Sequence, residues 1–82
     1  MIPRIESIKP EENYILHVTF EDGKAVVYDV KADISTIEQF VILKECTGLF
    51  KNVKLDESRT CVFWNDEIDL PSDIIYEYGK QV

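Results

Sequence analysis

Thr60-Cys61-Val62-Phe63-Trp64-Asn65-Asp66-Glu67-Ile68-Asp69-Leu70-Pro71 decides how this chain folds. Its first half is a run of β-favouring, mostly apolar residues that includes the sole tryptophan, a ring large enough to dominate a small core. Asn65 and Asp66 tolerate left-handed backbone and bond their own main chain, so they predict a tight reversal before Ile68 re-enters the apolar layer. Pro71 presets a helical first turn, Asp73 lies near that helix's positive end, and Gly79 is placed to stop it. Strand, turn, short strand and C-terminal helix are thus legible from Thr60 onward.

The same alternation appears upstream. Tyr14, Leu16, Val18 and Phe20 fall on one side of a strand, with Ile15, His17 and Thr19 on the other. Asp22-Gly23 then gives the strongest hairpin signal in the chain, because glycine accepts positive φ without a steric cost. The return strand is Ala25–Val30. A two-residue loop sets Phe20 opposite Ala25, Val18 opposite Val27 and His17 opposite Tyr28; a three-residue loop with a glycine bulge shifts this register by one. Before the hairpin, Arg4–Lys9, closed by Pro10, reads as a short edge strand followed by the polar turn Glu11-Glu12-Asn13.

Between the two strand-rich halves, Ser35 and Glu38 have the spacing of a capping box. Ile37, Phe40, Val41 and Lys44 continue at helical spacing, although Phe40-Val41-Ile42-Leu43 is an apolar block that periodicity alone does not separate from a buried strand. Gly48 ends this segment, and Val53 with Leu55 marks a further short strand before the charged turn Asp56–Arg59. The expected fold is therefore α+β: one domain over residues 1–82, a small antiparallel sheet of 5–6 strands, one mid-chain helix and one C-terminal helix.

Composition narrows the function classes. The 82 residues are 45% hydrophobic and 11% aromatic, too apolar for a disordered chain. No run approaches the roughly 20 apolar residues of a membrane span. The amino-terminal segment has neither an apolar core nor a small-residue cleavage site, which predicts a cytoplasmic protein without a secretory leader. Sixteen acidic residues outnumber nine basic ones, for a net charge of −7. That field opposes phosphate backbones, so direct nucleic-acid binding is not expected and a protein partner is. Cys46 and Cys61 form no CxxC pattern and read as reduced structural thiols.

Taken together, Pro3, Tyr14-x-Leu16-x-Val18-x-Phe20-x-x-Gly23, Phe40 with Leu43, Phe50-x-x-Val53 and Trp64-x-x-x-Ile68-Asp69-Leu70 resemble a bacterial domain-of-unknown-function family, number 2442. The likeness spans nearly the whole chain. It implies a compact α+β domain. Some members of that family are fused to a helix-turn-helix segment, and many stand beside another short protein in an arrangement that points to toxin-antitoxin pairs. The family brings no agreed catalytic residues.

No GxSxG, HExxH, Walker or dinucleotide glycine pattern occurs, so an enzyme is the least favoured class and no cofactor is expected. Asp66, Glu67, Asp69 and Asp73 are the densest carboxylates, but they lack the glycine and terminal glutamate of a calcium loop and read as a solvated turn and helix start. Asp69 stands apart because it lies between Ile68 and Leu70. His17 is a candidate pH-sensitive or ligand-contacting group, weighed against a packed neighbour of a tyrosine. Tyr28 and Trp64 combine apolar bodies with polar tips, as do Tyr76 and Tyr78, and those last two cannot both face inward from one short helix. These six, His17, Tyr28, Trp64, Asp69, Tyr76 and Tyr78, are the candidate contacts. The leading expectation is a noncatalytic interaction module, an antitoxin-like or regulatory partner of another small protein, with homodimerisation through an edge strand a further expectation. The alternative is a small-ligand domain with a pocket between sheet and helices near His17, Tyr28 and Trp64.

Overall fold

A computed structural model of the chain describes residues 2–82; Met1, the first residue of the segment read for a leader, lies outside them. Seven strands and three short helices follow one another as β1 (Ile5–Glu11), β2 (Ile15–Phe20), β3 (Ala25–Asp29), α1 (Lys31–Thr36), α2 (Ile42–Glu45), β4 (Lys54–Leu55), β5 (Cys61–Asn65), β6 (Ile68–Pro71), α3 (Ser72–Tyr78) and β7 (Lys80–Gln81). The α+β expectation holds. The strands, however, divide into two antiparallel sheets, ordered β1-β2-β3-β7 and β4-β5-β6, where the sequence predicted one. β7 is an addition that the sequence did not announce: two residues after Gly79 pair with Val26 and Val27 and close one edge of the larger sheet.

Alternation sets the core. Leu16, Val18 and Phe20 of β2 and Val26 and Tyr28 of β3 point inward, while Ile15, His17, Thr19, Ala25 and Val27 remain half-buried on the opposite face. From the smaller sheet Val62, Trp64, Ile68 and Leu70 enter the same apolar cluster, joined by Phe40 and Leu43 from the helical segment and Ile75 from α3. The hairpin takes the longer of its two loops. Phe20 N–H donates to the Lys24 carbonyl at 2.8 Å, Gly23 adopts φ +90°, and Thr19 pairs with Ala25, so His17 lies opposite Val27 and not Tyr28. A type I turn with a left-handed third residue explains the one-residue shift.

The mid-chain segment is where prediction and structure part most. The helix expected to start at Ser35 instead begins at Lys31, whose amide bonds Asp29 Oδ1 at 2.9 Å, and it ends at Thr36. Ser35 Oγ and Thr36 Oγ1 donate back to the Lys31 and Ala32 carbonyls at 3.1 and 2.9 Å, so the capping box does not form. Ile37 is extended at φ −115° and ψ 112°, after which a 3-10 turn over Glu38–Val41 runs into α2. One predicted helix is therefore a helix, a break and a tight two-part coil.

β1 extends beyond the predicted Lys9 through Pro10 to Glu11, at the free edge of the larger sheet. Tyr14, read as the first inward residue of β2, instead sits in the preceding turn, where Asn13 and Tyr14 take φ of 62° and 60° in succession. A bulky aromatic in that region is uncommon and strained. Its neighbours hold it: Tyr14 C=O accepts from Val30 N–H at 2.9 Å, and its ring meets Phe50 edge-on at 5.4 Å.

Downstream, β5 and β6 form the hairpin read from the sequence, with Asn65 Oδ1 accepting from the Glu67 and Ile68 amides at 2.8 and 3.0 Å. α3 starts at Ser72, leaving Pro71 as the last residue of β6. Gly79 does terminate α3, but at φ −70° rather than in the left-handed region. Its role is proximity. A Cβ there would lie 2.5 Å from the Ile75 carbonyl oxygen and 2.9 Å from Val26 Cγ2.

Candidate functional site

The six candidate residues do not converge. Trp64 is 4% exposed, and its indole N–H donates to the Phe50 carbonyl at 3.0 Å, while Phe50 stacks on it at 5.8 Å and Phe40 meets it edge-on at 6.0 Å. It joins the smaller sheet to the coil around Phe50, which makes it an internal brace. Tyr28 points into the core and donates to Asp33 Oδ2 at 2.7 Å. Burial, then the Asp33 hydrogen bond and charge, push its phenol far above the ordinary range. His17, one residue from the inward Leu16, faces the other side of the sheet between Lys9 and Val27. The pocket expected near His17, Tyr28 and Trp64 is therefore not formed by these three residues.

Asp69 is exposed on β6, opposite Phe63, although its neighbours Ile68 and Leu70 are both buried. Burial, then the charges of Asp69 and Asp56, push the Cys61 thiol above its ordinary value, which makes it a poorer nucleophile. Cys46 is exposed and unbridged.

Tyr76 and Tyr78 divide as the helix geometry requires. Tyr76 packs edge-on against Phe20 at 4.8 Å, takes Lys24 Nζ over its ring at 3.9 Å and donates to Asp22 Oδ2 at 2.9 Å. That bond raises the Tyr76 phenol, while the Lys24 backbone amide and then the Tyr76 hydroxyl lower Asp22. Tyr78 is 72% exposed. Among the described residues no cluster of His, Cys, Asp and Glu could hold a metal ion.

Two concave features border the helical segment. One, of about 380 Å³, opens between the β1–β2 turn and the coil after α2; Tyr14, Leu43 and Phe50 supply its apolar surface, with Glu11, Glu12, Lys44 and Lys51 around them. The other, of about 340 Å³, lies between the Glu38–Glu45 coil and the β5–β6 turn, with Val41, Ile42 and Ile68 lining it beside Glu38, Glu45 and Glu67. Ile42 is 41% exposed and Ile37, next to the groove in sequence, 38%.

None of these groove residues stood among the sequence candidates. The signal was present in Phe40-Val41-Ile42-Leu43. A helical turn that buries Phe40 and Leu43 at spacing i, i+3 must turn the two residues between them away from the core.

The matched family is described as "Protein of unknown function (DUF2442)", and its model covers residues 5–81. The chain belongs to that family. Within this DUF2442 domain, the likeness spans β1 to β7 and so takes in both sheets and the helical segment between them. Among curated proteins and solved structures, none matches the chain significantly. Among the described residues no helix is long and apolar enough to cross a membrane.

Proposed function

We propose that this DUF2442 chain is a noncatalytic protein-interaction module, an antitoxin-like or regulatory partner of another small bacterial protein in the cytoplasm. The observation that carries the reading is Ile42, 41% exposed and lining the second concavity, on a helical turn whose Phe40 and Leu43 are packed away, with Ile37, 38% exposed, as the extended residue that precedes that turn. An aliphatic side chain left at the surface in a concavity is a mark of an interaction site. Tyr78 on α3 adds a second exposed aromatic-aliphatic contact point.

A second reading has its own observation. The 380 Å³ cavity between the β1–β2 turn and the coil after α2, with Tyr14 and Phe50 on its surface, is of ligand-pocket size, at residues other than the His17, Tyr28 and Trp64 of the sequence alternative. Homodimerisation through the outer edge of β1 is less favoured, because Ile5 N–H already donates to the Arg59 carbonyl at 2.8 Å, Pro10 lacks an N–H and Lys9 is charged, all of which blunt edge pairing.

The test is a melting curve of the purified chain with and without its co-expressed genomic neighbour, run beside a metabolite panel. The interaction reading expects the neighbour to raise the melting temperature and to co-elute with the chain in gel filtration. A rise given by metabolites, with none from the neighbour, refutes it and favours the cavity.

A further inference from the structure

We propose that the groove between the Glu38–Glu45 coil and the β5–β6 turn receives a cationic amphipathic segment of a partner protein, apolar anchors flanked by lysine or arginine. This deepens the interaction reading and rests on it. Val41 and Ile42 give the groove its apolar surface above the buried Ile68, while Glu38, Glu45 and Glu67 are its charged residues, and no lysine or arginine lines it. The carboxylates come from both walls: Glu38 and Glu45 from the helical segment, Glu67 from the hairpin turn. An occupant's anchors would thus be flanked by negative charge on two sides.

That arrangement selects among occupants. A concavity of about 340 Å³ admits a few aliphatic side chains and not a folded surface, which is the way an amphipathic helix or extended peptide docks. Nucleic acid and anionic lipid surfaces are opposed by the three carboxylates and by the chain's net charge of −7. A second copy meeting groove to groove would set three carboxylates against three. A segment carrying ammonium or guanidinium groups beside its apolar anchors gains attraction where an anionic occupant meets repulsion and a neutral one gains no charge attraction, and the rim charges would also steer its approach.

The experiment uses the full chain, isotope-labelled, titrated by two-dimensional amide NMR with three synthetic amphipathic helices of the same leucine pattern, whose polar positions are all lysine, all glutamine or all glutamate. The expected result is that the lysine probe shifts the amides of Val41, Ile42, Glu67 and Ile68. Its affinity should fall roughly tenfold in the E38Q/E45Q/E67Q variant, a factor of about two per exposed charge pair, and by less than about twofold in E11Q/E12Q, which removes two charges at the other cavity. Ile42→Ser should weaken the lysine and glutamine probes alike. Equal binding of the glutamine and lysine probes in the groove overturns the cationic class and leaves the docking reading standing. No groove shift with any probe overturns both. Shifts spread over the whole surface, with the two charge variants weakened equally, show attraction to net charge alone and also overturn the proposal.

Discussion

Replacing Trp64 by phenylalanine separates a brace from a contact residue. The substitution keeps an aromatic ring against Phe40 and Phe50 but removes the indole N–H, leaving the Phe50 carbonyl with only the longer 3.3 Å bond from Val53 N–H in place of its 3.0 Å indole donor. A lost hydrogen bond whose acceptor keeps a second donor costs about 0.5–1.5 kcal/mol. Loss of the pyrrole portion of a ring that is 4% exposed adds about 1 kcal/mol, taken as a fraction of the roughly 3–5 kcal/mol for deleting a whole buried aromatic. The sum is about 1.5–2.5 kcal/mol, a substantial part of the roughly 4–12 kcal/mol expected of a domain this size. Urea unfolding must be followed by far-UV circular dichroism, because the variant has lost the only tryptophan. With a slope near 1 kcal/mol per molar, the midpoint should fall by about 1.5 M or more. A fall below about 0.5 M would refute the reasoning: the indole would then be a surface group, free to serve a partner as the sequence reading allowed.

Gly79→Ala should destabilise by about 1–3 kcal/mol, since its Cβ meets the Ile75 carbonyl oxygen at 2.5 Å and Val26 Cγ2 at 2.9 Å; an unchanged thermal midpoint would contradict the close approach of α3 to β3. Asp56 has a folded pKa below its ordinary value, because Ser58 Oγ and then the Thr60 and Cys61 amides donate to its carboxylate. Its contribution is therefore present above the unfolded carboxylate pKa of about 4 and is lost as pH falls through the lower folded one; Asp56→Asn should flatten that acid limb in a pH series of denaturation midpoints. Tyr28 has the opposite sign: its folded pKa is raised, so its contribution is complete below the unfolded phenol value of about 10 and is lost as pH climbs beyond it. Tyr28→Phe should cost about 0.5–1.5 kcal/mol at neutral pH through the lost bond to Asp33, and should make the alkaline decline in stability shallower than in the parent.

Much of this architecture is legible in the residues because it follows from local rules. Asn65 has the short polar side chain that caps a two-residue turn, and it does so through Glu67 and Ile68. Leu16, Val18 and Phe20 alternate with polar neighbours and are all fully buried. The failures lie where two local rules compete. Ser35 had an equal claim to cap the next helix or to bond back into the previous one, and the backbone of α1, already started by Asp29, decided for the second. Tyr14 fits the inward alternation of β2, yet tertiary contact with Phe50 holds it in a left-handed turn that no propensity would assign to tyrosine. Of the candidate contacts, it was readable from helix periodicity that Tyr76 and Tyr78 could not both be buried, though not which would be exposed, whereas Trp64 and Tyr28 were ambiguous by nature. Aromatics with a polar tip serve cores and interfaces equally, and only the position of a partner carbonyl or carboxylate distinguishes the two.

The distribution of charge bears on the same question. A surface whose carboxylates serve solubility alone intersperses both signs. Part of this chain does so: Lys31 pairs with Asp29 at 3.1 Å and Arg59 with Glu21 at 2.9 Å, and Lys44 and Lys51 stand with Glu11 and Glu12 around the larger cavity. Around Ile42 the pattern changes. Lys44 lies between Leu43 and Glu45 in sequence but lines the opposite concavity, so the helical turn that buries Leu43 also carries the nearest cation away from the groove. The apolar surface and the unneutralised carboxylates coincide because the same turn produces both. A lysine moved into the groove by Gln39→Lys would restore mixed charge without touching the core, and it should weaken a cationic probe while leaving the urea midpoint within about 0.5 M of the parent. Unchanged probe affinity in that variant would mean that the coincidence is accidental and that the isoleucines alone define whatever binds there.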